Sequence, residues 1–120
     1  MTSSDEKASV LIVEDEWIIA AQIQAIVSEA GFVVIGPLAD LEAALRVAED
    51  EVLSAALLDV DLGPGVEVYP VADALQNRGV PFAFVTSKRR SQIPPAHAGR
   101  PLVGKPFHAG EIEAVLSSIL

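Results

Sequence analysis

Short runs without a polar residue recur along this chain, and between them apolar residues fall at helical steps. Residues 9–14 read as a strand, and Trp17 to Ala30 as a helix with Ile19, Ile23, Ile26 and Ala30 on one face. Gly31 then stands where a helix stop is expected. Phe32 to Ile35 forms a second strand. Asp40 can cap a helix carrying Leu41, Ala44, Leu45 and Ala48, and Ala55 to Leu58 is a third strand. After a loop at Gly63-Pro64-Gly65, Pro70 suits the first turn of a helix with Val71 and Leu75 inward and a stop at Gly79. Phe82 to Val85 and Pro101 to Val103 supply two more strands. Glu111 to Leu120 closes the chain as a helix with Ile112, Val115, Leu116 and Ile119 inward.

Five strand–helix units in series predict an α/β fold, a doubly wound five-stranded parallel sheet with right-handed crossovers. The fourth unit is the exception. From Ser87 to Gly99 adjacent prolines and few apolar residues leave room for one or two helical turns, so the fourth helix is expected short or irregular. Composition fits buried strands: 51% of the 120 residues are hydrophobic, which suits strands covered on both faces. The length allows one domain and no second. With no cysteine there is no disulfide framework or thiolate metal site. A net charge of −9 argues against a bulk electrostatic grip on nucleic acid. The opening Met1-Thr-Ser-Ser-Asp-Glu-Lys7 lacks the basic flank and apolar core of a leader, and no apolar run approaches a membrane span, so a cytoplasmic protein is expected. Charge is uneven: between Ala74 and Gly110 lie Arg78, Lys88, Arg89, Arg90, Arg100 and Lys105 with no acid among them. That stretch is a solvated face or a docking surface.

The charged residues at strand ends carry the chemistry. Glu14 and Asp15 follow the first strand, Asp59 and Asp61 the third, and Lys105 the fifth. Ligands collect beyond the carboxyl ends of parallel strands where strand order reverses, and the order 2-1-3-4-5, taken over from flavodoxin, sets strands one and three side by side. Carboxylates brought together in this way repel one another unless a cation joins them, and a hard divalent ion with oxygen ligands, Mg²⁺ first, answers that repulsion.

In this order the residues resemble the receiver domains of two-component response regulators: the acidic pair Glu14-Asp15, then Asp59, Thr86 at the end of strand four, and Lys105-Pro106-Phe107. The match covers residues 9–120, with 1–8 expected as a flexible N-terminus. Pro81-Phe-Ala-Phe-Val-Thr-Ser87 looks like the stand-alone receivers whose fourth strand reads Pro-Phe-x-Phe-Ala-Thr-Gly, Val85 and Ser87 being departures. The resemblance implies that Asp59 takes a phosphoryl group from a phosphohistidine of a sensor histidine kinase. It implies Mg²⁺ on Asp15 and Asp59, on Glu14 through water and on the backbone carbonyl of Asp61. Thr86 and Lys105 would meet the phosphoryl oxygens, with the Lys105-Pro106 peptide cis. The implied output is contact with a downstream effector or a phosphotransfer protein in a phosphorelay, with no nucleic acid and no membrane. The basic stretch from Lys88 to Lys105 is expected to be the surface that changes on phosphorylation.

Plainer readings stand beside these. Glu14 and Asp15 suit the start of a helix, Asp61 a turn, and Thr86 a strand. Trp17 reads as packing or partial surface and as an optical reporter of metal binding; His97 and His108 read as surface or capping residues. Leu102 stands where receivers commonly carry an aromatic switch residue, and Asp61 with Lys88 would flank the path of a hydrolytic water. Two rivals follow: a degenerate receiver acting only as an interaction module, and a phosphatase in which Asp59-Val-Asp61 supplies nucleophile and general acid.

Overall fold

The apolar runs form the strands of one sheet in a computed structural model that describes residues 7–120; within the expected flexible segment 1–8, residues 1–6 lie outside the described residues. The strands are β1 (Ser9–Val13), β2 (Val33–Leu38), β3 (Ala55–Leu58), β4 (Phe82–Thr86) and β5 (Leu102–Gly104). The helices are α1 (Trp17–Glu29), α2 (Leu41–Asp50), α3 (Tyr69–Asn77) and α4 (Ala109–Ile119). All neighbouring strands pair in parallel, in the order β2-β1-β3-β4-β5. Val13 lies opposite Leu58, and Thr86 opposite Gly104. The first residue after β1 and the first after β3 therefore emerge level at the same sheet edge.

Because successive strand residues point to opposite faces, the core divides in two. Leu11, Val13, Ala56, Leu58, Phe82 and Phe84 pack against α2 and α3 through Ala44, Ala48, Val71 and Leu75. On the other face Val10, Ile12, Leu57 and Val85 meet Ile23 and Val27 of α1 and Ile112, Val115 and Leu116 of α4. Both faces are covered, as the uninterrupted apolar runs require.

Two departures from the sequence reading have local causes. Strand β2 runs on to Leu38 through a cis Gly36-Pro37 peptide. Gly36 has φ +101°, and a Cβ there would stand 2.8 Å from Leu38 N and 2.9 Å from Ile12 O, so only glycine lets the strand pass β1 this closely. The extension matters, because Leu38 O accepts from Glu14 N at 2.9 Å. Helix α1 is rotated from the expected face: Ala20, Ile23 and Val27 are buried while Ala30 is exposed, since the short Ala20 side chain lets the helix lie close to the sheet. The fourth unit contains a single 3-10 turn, Arg90–Gln92, followed by turns, in accord with its prolines.

His97, expected at the surface or in a cap, is buried instead. Where a fourth helix would cover β4, its ring stacks on Tyr69 at 6.2 Å and stands edge-on to Phe82 at 5.8 Å, with Nε2 2.7 Å from Asp73 Oδ1 on α3. His108 does occupy the N-cap of α4, and its backbone N–H donates to Glu111 Oε1 at 2.8 Å. Leu75→Ala, which empties a fully buried site on α3, is expected to lower unfolding free energy by about 2–5 kcal/mol in urea denaturation. Exposed Ile18→Ala on α1 should stay within about 0.5 kcal/mol.

Candidate functional site

Level strand ends bring the acids together. Asp59 N donates to Val13 O at 2.9 Å, so the β1 and β3 exits stay tied, and the carboxylates of Glu14, Asp15 and Asp59 each offer an oxygen within 4.8 Å of the others. Glu14 and Asp59 are buried and Asp15 is exposed. Each buried acid is fixed by backbone: Glu16 N donates to Glu14 Oε2 at 3.1 Å, and Val60 N to Asp59 Oδ1 at 2.7 Å. Lys105 follows β5, its own N–H donating to Thr86 O, and its peptide to Pro106 is cis. Its ammonium lies 2.7 Å from Glu14 Oε1, 3.0 Å from Asp59 Oδ2 and 3.3 Å from Glu16 Oε1.

The electrostatics follow from that burial. Removal from water pushes the Glu14 carboxyl up from 4.5 to about 7; Lys105 and the Glu16 backbone N–H pull it down, and the Asp59 charge adds to the rise. Burial alone would lower Lys105, but Glu14 and Asp59 outweigh it and hold the ammonium well above its ordinary range. Glu14 Oε1 faces Lys105 as an ion pair without hydrogen-bond alignment, which leaves a buried oxygen with no aligned donor. Three converging carboxylates and an under-satisfied buried oxygen fit a hard divalent cation. An open cavity of about 300 Å³ beside them is lined by Asp15, Glu16, Asp59, Asp61, Gly63, Pro64, Ser87 and Lys105.

The remaining candidates stand around this centre. Thr86 is buried at the end of β4, and its Oγ1 accepts from Lys88 N at 3.1 Å. The Asp61 side chain is half exposed and outside the three-acid cluster; it pairs with Lys88 at 3.8 Å. Trp17 is 78% exposed rather than packed, and it lines a second cleft with Glu14 and Asp15. Glu16 is not among the residues that the sequence reading singles out, although it continues the acidic run Glu14-Asp15 by one residue. Several members of the basic stretch serve the fold: Arg90 donates to Ala98 O and Arg100 O at 2.6 and 2.7 Å, Arg78 donates to Ala48 O, and Arg100 lies 4.2 Å over the Phe82 ring. No helix among the described residues is long and apolar enough to cross a membrane.

Glu14 makes stability depend on pH in a definite direction. Its carboxyl binds a proton more tightly folded than unfolded, so its contribution is complete below about 4.5 and is lost as pH rises through about 7. In urea titrations without metal, wild-type stability relative to Glu14→Gln should fall across that window, whereas a difference independent of pH would contradict the burial account.

No family model matches the chain. It is 30% identical over 98% of its length to the phyllosphere-induced regulator PhyR of Methylorubrum extorquens, and spans about 45% of that protein. The solution structure of SdrG from Sphingomonas melonis is 31% identical, with 98% of each chain covered and a TM-score of 0.82. The receiver domain of a sensor histidine kinase from Pseudomonas aeruginosa, with a magnesium ion coordinated in its active-site cleft, is 25% identical over 94% of this chain and 97% of its own, at a TM-score of 0.79. With the 2-1-3-4-5 sheet, the acid cluster and these relatives together, the chain belongs to the response regulator receiver domains of two-component signal transduction.

Proposed function

We propose that this receiver accepts a phosphoryl group on Asp59 from a phosphohistidine of a sensor histidine kinase. The observation that carries the reading is the Asp59 carboxylate at a cavity edge, held between the Lys105 ammonium and the Glu14-Asp15 pair. In the transfer, an Asp59 oxygen bonds to phosphorus, the P–N bond breaks, and the histidine nitrogen keeps the electron pair and takes a proton. Catalysis of such a step is mostly positioning and neutralisation of charge on the equatorial oxygens. Lys105 is placed to meet one of those oxygens. Thr86 can donate to another, because its oxygen already accepts from Lys88 N and its proton is free. Mg²⁺ held by Asp15 and Asp59, by Glu14 through water and by the Asp61 carbonyl would supply further positive charge against the transferring group.

The output reading is contact with a downstream effector or a phosphotransfer protein in the cytoplasm. The segment Pro81–Ser87 supports assignment to the Pro-Phe-x-Phe-Ala-Thr-Gly receivers, Val85 and Ser87 departing. The phosphatase reading is disfavoured by the order of the residues, since such enzymes carry the Asp-x-Asp motif on the first strand and an acidic metal pair after the lysine, whereas here Glu14-Asp15 precede Asp59. A degenerate interaction module is disfavoured because every position of the pocket is filled.

Incubation with acetyl phosphate and Mg²⁺ should give one phosphoryl adduct by mass spectrometry, absent in Asp59→Asn. Its formation should slow about a hundred-fold in Lys105→Ala. Rapid multiple turnover would favour the phosphatase, and no adduct the module. The Asp61–Lys88 pair is proposed to screen the anhydride from water. Asp61→Asn and Lys88→Ala should each shorten the adduct half-life about two- to five-fold, the scale of an exposed ion pair; a half-life unchanged in both would refute the screen.

A further inference from the structure

The Lys105 ammonium has three protons and three carboxylate neighbours. The three are not equivalent. Glu14 and Asp59 are buried, and each is held a second time by a backbone N–H. Glu16 is 64% exposed, and among the described residues its carboxylate has Lys105 as its partner and no other. It also stands at the N-cap of α1 without bonding the free N–H groups of that helix. An acid there would ordinarily turn toward the positive end of its own helix. This one reaches instead to a lysine 89 positions along the chain.

We infer that Glu16 is a positioning residue, which holds Lys105 in its resting place and gives it up when Asp59 carries a phosphoryl group. The inference rests on the phosphoacceptor reading above. When acetyl phosphate is the donor, an Asp59 oxygen bonds to phosphorus and the P–O bond to acetate breaks, acetate leaving with the electron pair. The phosphoryl oxygens then need the Lys105 ammonium, which already lies within 3.3 Å of three carboxylates and donates to two of them, Asp59 and Glu16. The Glu16 contact is the longest, at 3.3 Å against 2.7 and 3.0 Å, and the most solvated. An exposed pair of this kind is the least costly to break. Glu16 thus sets how readily Lys105 moves to the phosphoryl group, without touching that group itself.

The isosteric substitution Glu16→Gln tests this, since it removes the charge and leaves the backbone of the helix start unchanged. With Mg²⁺ and saturating acetyl phosphate, the maximal rate of Asp59 phosphorylation should rise about two- to five-fold, the scale of one exposed ion pair. In the metal-free protein, ¹³C relaxation at Lys105 Cε should report a less ordered side chain in Glu16→Gln than in wild type. A gain confined to the half-saturating donor concentration would make Glu16 a mere repeller of anions and overturn the inference, as would loss of either expected effect. An adduct that forms equally fast in both proteins leaves the phosphoacceptor reading standing while the inference falls. No adduct in either protein overturns both.

Discussion

Crowding of carboxylates at one sheet edge is the constraint around which the rest of this molecule is arranged. Glu14, Asp15 and Asp59 share a space in which their oxygens lie within 4.8 Å of one another. At an effective dielectric of about 20, two like charges at that separation repel by roughly 3 kcal/mol. Total domain stability is only about 5–15 kcal/mol, so repulsion on this scale must be met by a cation, a proton or both. The protein supplies a little of each: Lys105 bridges the acids, and the buried Glu14 holds its proton toward neutrality. A divalent ion would complete the neutralisation only if the acids are kept close in its absence, and the sheet keeps them so. Backbone bonds from Glu14 N to Leu38 O and from Asp59 N to Val13 O fix both acids to neighbouring strands.

The same arrangement links fold and chemistry. Strands covered on both faces give a rigid edge, and function is left to residues just past their ends. The exposed ion pairs are peripheral: Lys105 with Glu16, and Lys88 with Asp61, which lines the cavity. Each of these contacts is weak enough to exchange, whereas the buried contacts beneath them are not.

The strands were legible because Val10–Val13, Ala55–Leu58 and Phe82–Val85 admit no polar residue, a pattern that few alternatives share. Acids and a lysine at their ends then marked the site. The strand order was taken from analogy, because nothing local in the sequence dictates which parallel strands become neighbours. Contacts between distant segments were also hidden. His97 looks like a surface residue among prolines, yet with no fourth helix over β4 its ring is buried against Phe82, which Arg100 also covers. Glu16 was passed over because helix-start chemistry explains an acid in that place, and its partner lies 89 positions away. The β2 extension was hidden by Pro37, which usually ends a strand and here sits on an edge strand that tolerates it.

Glu14, Asp15 and Asp59 are arranged to hold a divalent cation beside Lys105. Anomalous diffraction from crystals soaked in Mn²⁺ as a stand-in for Mg²⁺ tests it most directly. One strong peak is expected among those three carboxylates, lost in Asp15→Asn. An empty pocket, or manganese bound only at acids elsewhere, would contradict it.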